Sequence, residues 1–374
     1  DELKTDIVWT QSEQEGLVLD IRDLVFRQQA MTGRALGQYI WNPHINGGGN
    51  ILDLTAEIDN LEVTNIKRYI PLQTPKELSD WLSAALKGGK VSRATIRTKG
   101  QIDNIPYPNG DGIFEIRAKL NDVAMNYAPF SQAIDGKRPL WPDLEHIQGE
   151  FQMKGKAITV HADSAMTQGV NLHDVNVVIP DVLQGAPTLE ITGYSNGSMT
   201  DHLAFVKASP VYELIDHLTE NTTATGNGRV DIKIHLPLQD LNKTKVDGHL
   251  KFQNNDIVLL EDLPVVSGVQ GELYFTDRGF SLNHLIGQFL DEPVQIQGGT
   301  TKGEDFLVKV SGLLSEQGVR RTYTTGAMRH LARMMEGQAP FTVDIRKGQI
   351  HIETDLQGIG INLPEPFYKA KGQK

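Results

Sequence analysis

The sequence predicts a mainly β protein built on a long, strongly curved antiparallel sheet, and three observations carry that prediction. Two-residue alternation of apolar and polar side chains dominates the chain, which marks strands with one apolar and one polar face. Turn signals such as Lys154-Gly155, Asn254-Asn255-Asp256, Asp277-Arg278-Gly279 and Arg346-Lys347-Gly348 separate many of these runs, so neighbouring strands join by hairpins and run antiparallel. Only a few segments have helical periodicity.

The clearest alternating runs define the elements in order. Leu52, Leu54, Ala56 and Ile58 interleave with Asp53, Thr55, Glu57 and Asp59, and Phe114, Ile116, Ala118 and Leu120 with Glu115, Arg117, Lys119 and Asn121. Further on, Val230, Ile232 and Ile234 alternate with Asp231, Lys233 and His235, and Phe341, Val343 and Ile345 with Thr342, Asp344 and Arg346. Roughly eighteen strands of ordinary length follow. Thr74-Pro75 reads as a cap and first helical turn, and Leu78, Trp81, Leu82, Ala85 and Leu86 form a stripe ending at Gly88-Gly89, which predicts a helix over about 75–87. Two short helices are expected over about 200–219, with Ser209-Pro210 restarting the second. A further helix over about 326–336 carries Met328, Leu331, Met334 and Met335. Packing on a sheet accounts for all these stripes.

An internal echo suggests duplication. Ile147 to Met153 followed by Ile158-Thr159-Val160 resembles Val269 to Phe275 followed by Phe280-Ser281-Leu282, 122 residues later. Upstream of each copy the pattern predicts another hairpin, Gly112 to Met125 turning at Asn121-Asp122 and Gly248 to Leu259 turning at Asn255-Asp256. Three segments are expected: 1–110, 111–220 and 221–374.

Composition removes several function classes. The 374 residues include 36 basic and 47 acidic side chains, a net charge of −11, which argues against following nucleic-acid phosphates by charge. With no cysteine there are no disulfides, thiolate metal sites or cysteine nucleophiles, a composition compatible with an oxidising compartment. No apolar run approaches a membrane span, and the opening Asp1-Glu2-Leu3-Lys4 lacks a leader, so the chain reads as a piece of a longer protein whose anchor lies elsewhere.

Sharper chemistry is not in evidence. His173-Asp174 has no third ligand nearby in sequence. Gly226-Asn227-Gly228 lacks the dinucleotide fingerprint and Gly47-Gly48-Gly49-Asn50 lacks the lysine of a phosphate-cradling loop. Pairs such as Asp143 with Glu145, or Glu261 with Asp262, are unsurprising among 47 acids, although glycoside hydrolysis needs two carboxyls about 5–9.5 Å apart. No serine nucleophile elbow occurs. Arg320-Arg321 and the lysines from Lys369 to Lys374 form small basic islands suited to solvent or acidic headgroups. Neither an enzyme activity, a metal nor a cofactor is expected.

A sheet of this size would span on the order of 85 Å at about 4.8 Å per strand, and a handful of short helices cannot cover its apolar face. It must therefore curl, as a sandwich, a barrel or a gutter with the apolar face inside. The pattern alone does not choose between a packed core and a channel.

Several stretches together resemble the AsmA-like YhdP family. They are Tyr69-Ile70-Pro71-Leu72 with Leu78, Trp81 and Leu82, the helices around Ser209-Pro210, Leu236-Pro237-Leu238 followed by Val246 to Leu250, Val269 to Leu273 followed by Gly279, and the closing Asp355 to Gly358 with Leu363-Pro364-Glu365-Pro366 and Lys369. Members are long envelope proteins of Gram-negative bacteria, similar to TamB and to bridge-like lipid transfer proteins with repeating β-groove units. The resemblance implies a periplasmic segment of a chain anchored in the inner membrane, moving phospholipids between inner and outer membranes along a hydrophobic groove, with unidentified partner proteins at both membranes. On that reading the groove-lining candidates are Leu52, Leu54, Phe114, Ile116, Phe151, Met153, Val230, Ile232, Leu250, Phe252, Leu273, Phe275, Val343 and Ile345, each of which equally suits a dry core. The rival reading is a polysaccharide-binding or adhesive scaffold module of the cell envelope. Its aromatic platforms would have to come from four tryptophans, Trp9, Trp41, Trp81 and Trp141.

Overall fold

The computed structural model describes residues 1–12, 16–42, 49–70, 76–131, 140–215, 217–261, 263–300 and 306–373. Pro71-Leu72, Thr74-Pro75, Gly47-Gly48 and Asp262 lie outside them. The described strands form one antiparallel sheet of 20 strands that is not closed into a barrel, and the chain divides into two compact units.

Unit one holds Asp1–Thr167, Asn171–Tyr194 and Lys233–Thr244. Its strands are β1 (Glu2–Ser12), β2 (Gly16–Gln28), β3 (Met31–Trp41), β4 (Asn50–Glu62), β5 (Leu86–Gln101), β6 (Ile113–Met125), β7 (Leu144–Lys154), β8 (Ala157–Thr167) and most of β9 (Val170–Ile179) and β10 (Thr188–Ser198). A 3-10 helix, Val63–Arg68, and α1 (Lys76–Ala85) connect β4 to β5. Each strand from β1 to β7 pairs antiparallel with the next. The indole N–H of Trp81 on α1 donates to the Tyr127 carbonyl at 3.3 Å, and Ala85 is buried. The helix passes directly into β5, so Gly88-Gly89 belongs to that strand rather than to a helix stop.

Unit two holds Gln168–Val170, Ser195–Ile232 and Lys245–Lys374. It contains β11 (Thr223–Ala224), β12 (Asn227–Pro237) as far as Ile232, β13 (Lys245–Val258), β14 (Val266–Thr276), β15 (Gly279–Phe289), β16 (Glu292–Thr300), β17 (Phe306–Ser315), β18 (Met335–Arg346), β19 (Gln349–Glu353) and β20 (Ile359–Ile361). Two helices, α2 (Met199–Ala208) and α3 (Val211–Leu214), precede β11, and two more, α4 (Glu316–Thr322) and α5 (Gly326–Met334), link β17 to β18. Ser198 caps α2, its hydroxyl oxygen accepting the Asp201 N–H at 3.0 Å. Ser209 closes α2 instead of opening α3: its hydroxyl donates to the Val206 carbonyl at 3.2 Å. Ser315 caps α4 by accepting the Gly318 N–H at 3.1 Å.

Two expected hairpins prove to be single strands. Asn121-Asp122 and Asn255-Asp256 lie inside β6 and β13, where the register shifts between Leu120 and Val123 and, around the second pair, between Gln253, Asn255 and Ile257. Asp122 and Asn254 have φ of 54° and 62°, which Asp and Asn tolerate, so each makes a bulge in a continuing strand. Asn60 in β4 and His284 in β15 adopt φ of 57° and 49°. At each of these places the apolar positions change parity, from Ile58 to Leu61, Leu120 to Val123, Phe252 to Ile257 and Leu282 to Leu285. The skipped residue keeps the apolar side chains on one face while the strand bends.

The internal echo is visible in register. Glu150 pairs with His161, Phe151 with Val160 and Lys154 with Ala157; Glu272 pairs with Asn283, Leu273 with Leu282 and Thr276 with Gly279, each 122 positions later. The preceding strand repeats too, since Ala118 pairs with Phe151 as Leu250 pairs with Leu273.

Candidate functional site: an apolar strip on the sheet

Cross-strand partners share a face, so the registers trace which side chains lie together. In unit one a row runs Ala56, Ile96, Ile116, Met153, Ile158 across β4 to β8. Beside it runs Ile58, Ala94, Ala118, Phe151, Val160. On the other side Leu52 partners Tyr39 and Gly100, and Leu54 reaches Thr98, whose next partner is Phe114. The opposite face is polar, for example Asp59, Arg93, Lys119, Glu150, His161. There Arg97 lies 2.6 Å and Lys99 3.2 Å from the Asp53 carboxylate. The hydrogen bond from Arg97 is the main reason that the Asp53 carboxyl is held below the ordinary carboxylate range.

Along the strands the apolar face has two parts. Where the 3-10 helix and the bulges lie, Met31, Leu61, Val63, Val91, Val123, Ile147, Ala162 and Ala165 form a dry cluster, with Ile66 and Leu86 packed against it. Beyond the bulges Leu52, Leu54, Phe114, Ile116, Phe151 and Met153 are all half-buried, and none belongs to that cluster. At the far end the buried Tyr107 ring lies over Gly100 and Gly112, its hydroxyl 3.4 Å from that of Thr98.

Unit two repeats the division. One row runs Leu250, Leu273, Leu282, Gly298, Val308, Ile345, Ile350, and another Leu285, Ile296, Val310, Val343, Ile352. Gly228 faces Leu250 and Met199, so alternation puts Val230 and Ile232 on that side. The Phe275 ring lies across Gly248, where a Cβ would sit 2.0 Å from a ring carbon; glycine is needed there so that the ring can fold onto the sheet. Phe252, 9% exposed, is the one candidate in a dry cluster, with Met199, Ala224, Val269 and Leu285. Leu250 and Leu273 pack against that cluster, and Val343 and Ile345 against Val294, Val310 and Phe341. Val230, Ile232 and Phe275 are half-buried. A second dry cluster, Leu290, Val319, Ala332, Met335, Ala339 and Ile359, joins α4 and α5 to the sheet.

The rows also contain apolar residues that the sequence analysis did not single out as lining, notably Ile96, Ile158, Leu282 and Val308. Ile96 was hidden among Arg93, Arg97 and Lys99; carrying the hairpin register across from Ile116 would have found it.

The apolar strip of each unit offers nondirectional contact to a long apolar ligand. Among the described residues no group of three or more His, Asp or Glu is placed to hold a metal, and no helix is long and apolar enough to cross a membrane.

The family described as YhdP protein matches residues 1–374. The chain is 20% identical over 368 residues to the intermembrane phospholipid transporter YhdP of Escherichia coli (strain K12), a match that covers 96% of this chain and 28% of that protein. It therefore spans under a third of the curated relative's length. No solved structure matches. The sheet, its apolar strip and a family match that runs from the first residue to the last lead to one assignment: the chain belongs to the YhdP protein family.

Proposed function

We propose that this chain is a segment of a phospholipid conduit between the inner and outer membranes, in which acyl chains lie on the apolar strip and headgroups stay in water. The observation that carries the reading is the row Ala56, Ile96, Ile116, Met153, Ile158, five strands wide, uncharged and half-buried. The E. coli relative is an intermembrane phospholipid transporter, which supports the cargo.

The energetics favour such a surface. Moving an acyl chain into water costs about 0.8 kcal/mol per methylene, so unaided desorption is slow. A strip of Leu, Ile, Val, Phe and Met lowers that cost at every step, and the absence of charge in its rows leaves no strong bond to trap the lipid. All fourteen candidates belong to this reading, with Phe252 as a buried support beneath α2. The three segments 1–110, 111–220 and 221–374 serve as successive stretches of the conduit, held in the periplasm by a longer chain anchored in the inner membrane. Transport of this kind makes and breaks no covalent bond, so no catalytic residue is assigned.

Native mass spectrometry of the chain purified from bacterial cells tests the proposal. Phospholipid should co-purify with the wild type and be lost from a folded Ile232→Asp variant. A folded wild type that carries no lipid and takes up no acyl-chain probe would overturn it.

A further inference from the structure

We infer that α5, through Arg329 and Arg333, holds the phosphate of a phospholipid whose chain lies on the unit-two strip; this rests on the conduit reading and adds a headgroup site to it. From Gln317 to Met335 there is no acidic residue and there are four arginines, in a chain of net charge −11. Two of the four have structural roles. Arg320 donates to the carbonyls of Ala332, Arg333 and Met335, closing the C-terminal end of α5, and Arg321 lies 3.3 Å from Asp291. Arg329 and Arg333 stand one helical turn apart, both exposed, and neither guanidinium has a hydrogen bond or ion pair among the described residues. Two guanidinium groups at this spacing share a face and can grip one phosphate through paired N–H donors.

The placement of α5 supplies the second half of the argument. Ala332, 0% exposed, packs in one cluster with Ala339 at the start of β18. Ala339, Phe341, Val343 and Ile345 alternate along β18 on the apolar face. The six steps from Ala339 to Ile345 cover about 20 Å at 3.3 Å per residue, and an acyl chain filling one leaflet of a roughly 30 Å hydrocarbon core reaches about 15 Å. A phosphate held at α5 thus leaves its chain to pass Phe341, itself buried in a dry cluster, and to lie on the half-buried Val343. Met328 and Met334, both exposed, add adaptable apolar contact beside the arginines. An anionic bilayer surface is disfavoured as the partner, because the rest of this acidic chain would be repelled by it.

Because the chain has no cysteine, Met328→Cys takes a single fluorescent label beside the arginines. Dihexanoyl phosphatidylglycerol, soluble as a monomer, and dihexanoylglycerol, with the same chains and no phosphate, are titrated against this protein and against its Arg329→Gln/Arg333→Gln form. The expected result is a preference for the phospholipid on the order of tenfold, abolished in the glutamine form with its melting temperature unchanged. Retention of the preference by the glutamine form overturns the proposal. So does full displacement by equimolar inorganic phosphate, which would mean a free-phosphate site, or binding to phosphatidylglycerol vesicles without binding of the monomer, which would mean a membrane-docking helix. If the diacylglycerol binds and the phosphate adds nothing, only the headgroup site falls; if neither amphiphile binds, the conduit reading falls with it.

Discussion

Aspartate at Ile116 and aspartate at Ile147 should have opposite consequences, although both residues are apolar and lie on the same face of neighbouring strands. Ile116 is half-buried between its partners Ile96 and Met153. Complete burial of such a side chain is worth about 1.5–3 kcal/mol, so half of that, roughly 1–1.5 kcal/mol, is lost while the new carboxylate keeps its water. Ile147 is 5% exposed within the dry cluster. There the substitution costs about 2–5 kcal/mol for the lost side chain and cavity, and several more for a desolvated charge, enough to unfold a unit of ordinary stability of about 5–15 kcal/mol. Ligand binding reverses the contrast. An acyl chain crossing the row places about four methylenes on each strand at 4.8 Å spacing; losing their contact at about 0.8 kcal/mol each weakens binding by about 3 kcal/mol, roughly two hundredfold. Urea unfolding followed by circular dichroism gives the stabilities, and a fluorescent fatty-acid probe the affinities. Equal destabilisation at the two sites would show that Ile116 lies in a dry core, and undiminished probe binding by Ile116→Asp would refute the strip.

The remaining predictions concern the frame around the strip. Ser198→Ala removes the acceptor for the Asp201 N–H at the start of α2 and should cost about 1 kcal/mol in thermal unfolding. Gly248→Val drives a side chain into the Phe275 ring; displacing the ring should cost about 1–3 kcal/mol, read as a lower urea midpoint. Asp53, whose carboxyl Arg97 holds below the ordinary aspartate range, contributes stability that is fully present above that range and lost as the pH falls through its lower folded pKa. Carbon-detected NMR titration should return its pKa to the ordinary range in Arg97→Gln.

The two faces of the sheet were legible in the sequence because a strand turns its side chains alternately, and rows such as Phe114, Ile116, Ala118 need no tertiary information. The bulges were misread for a specific reason. Asn121-Asp122 and Asn254-Asn255 suit a hairpin turn and a left-handed bulge equally well. The discriminating signal was parity: apolar residues move from Leu120 to Val123 within one β6, whose register with β7 continues to Met125. The cap of α4 at Ser315 was missed because Gly318 and Arg320-Arg321 break any apolar stripe. Whether a given residue is dry or open was not legible at all, since that depends on what comes to cover it. Val63 and Ile66 arrive over the unit-one strands from the β4–β5 connection, and Met199, Val319 and Ala332 over unit two from helices. No local pattern around Phe252 announces that Met199 will bury it.

An open apolar face and a stable fold make opposing demands, and the bulged strand reconciles them. A sheet that left its whole apolar face accessible would lack the burial that offsets chain entropy, whereas one that covered it would have nowhere to hold a lipid. In β6, Phe114 and Ile116 lie on the strip, and Val123 beyond Asp122 is 3% exposed in the dry cluster. In β13, Leu250 packs at the margin, while beyond Asn254 the fully buried Asn255 donates to the Thr225 and Asn227 carbonyls, each at 2.9 Å, and accepts the Gln253 N–H at 2.7 Å, fixing the bend. The same register recurs 122 residues apart, with Phe151 and Val160 at the positions of Leu273 and Leu282. What is repeated is polarity, volume and bend, not side-chain identity. Nondirectional contact with acyl chains demands no more than that, and this explains how a chain only 20% identical to its relative can still align with it over 368 residues.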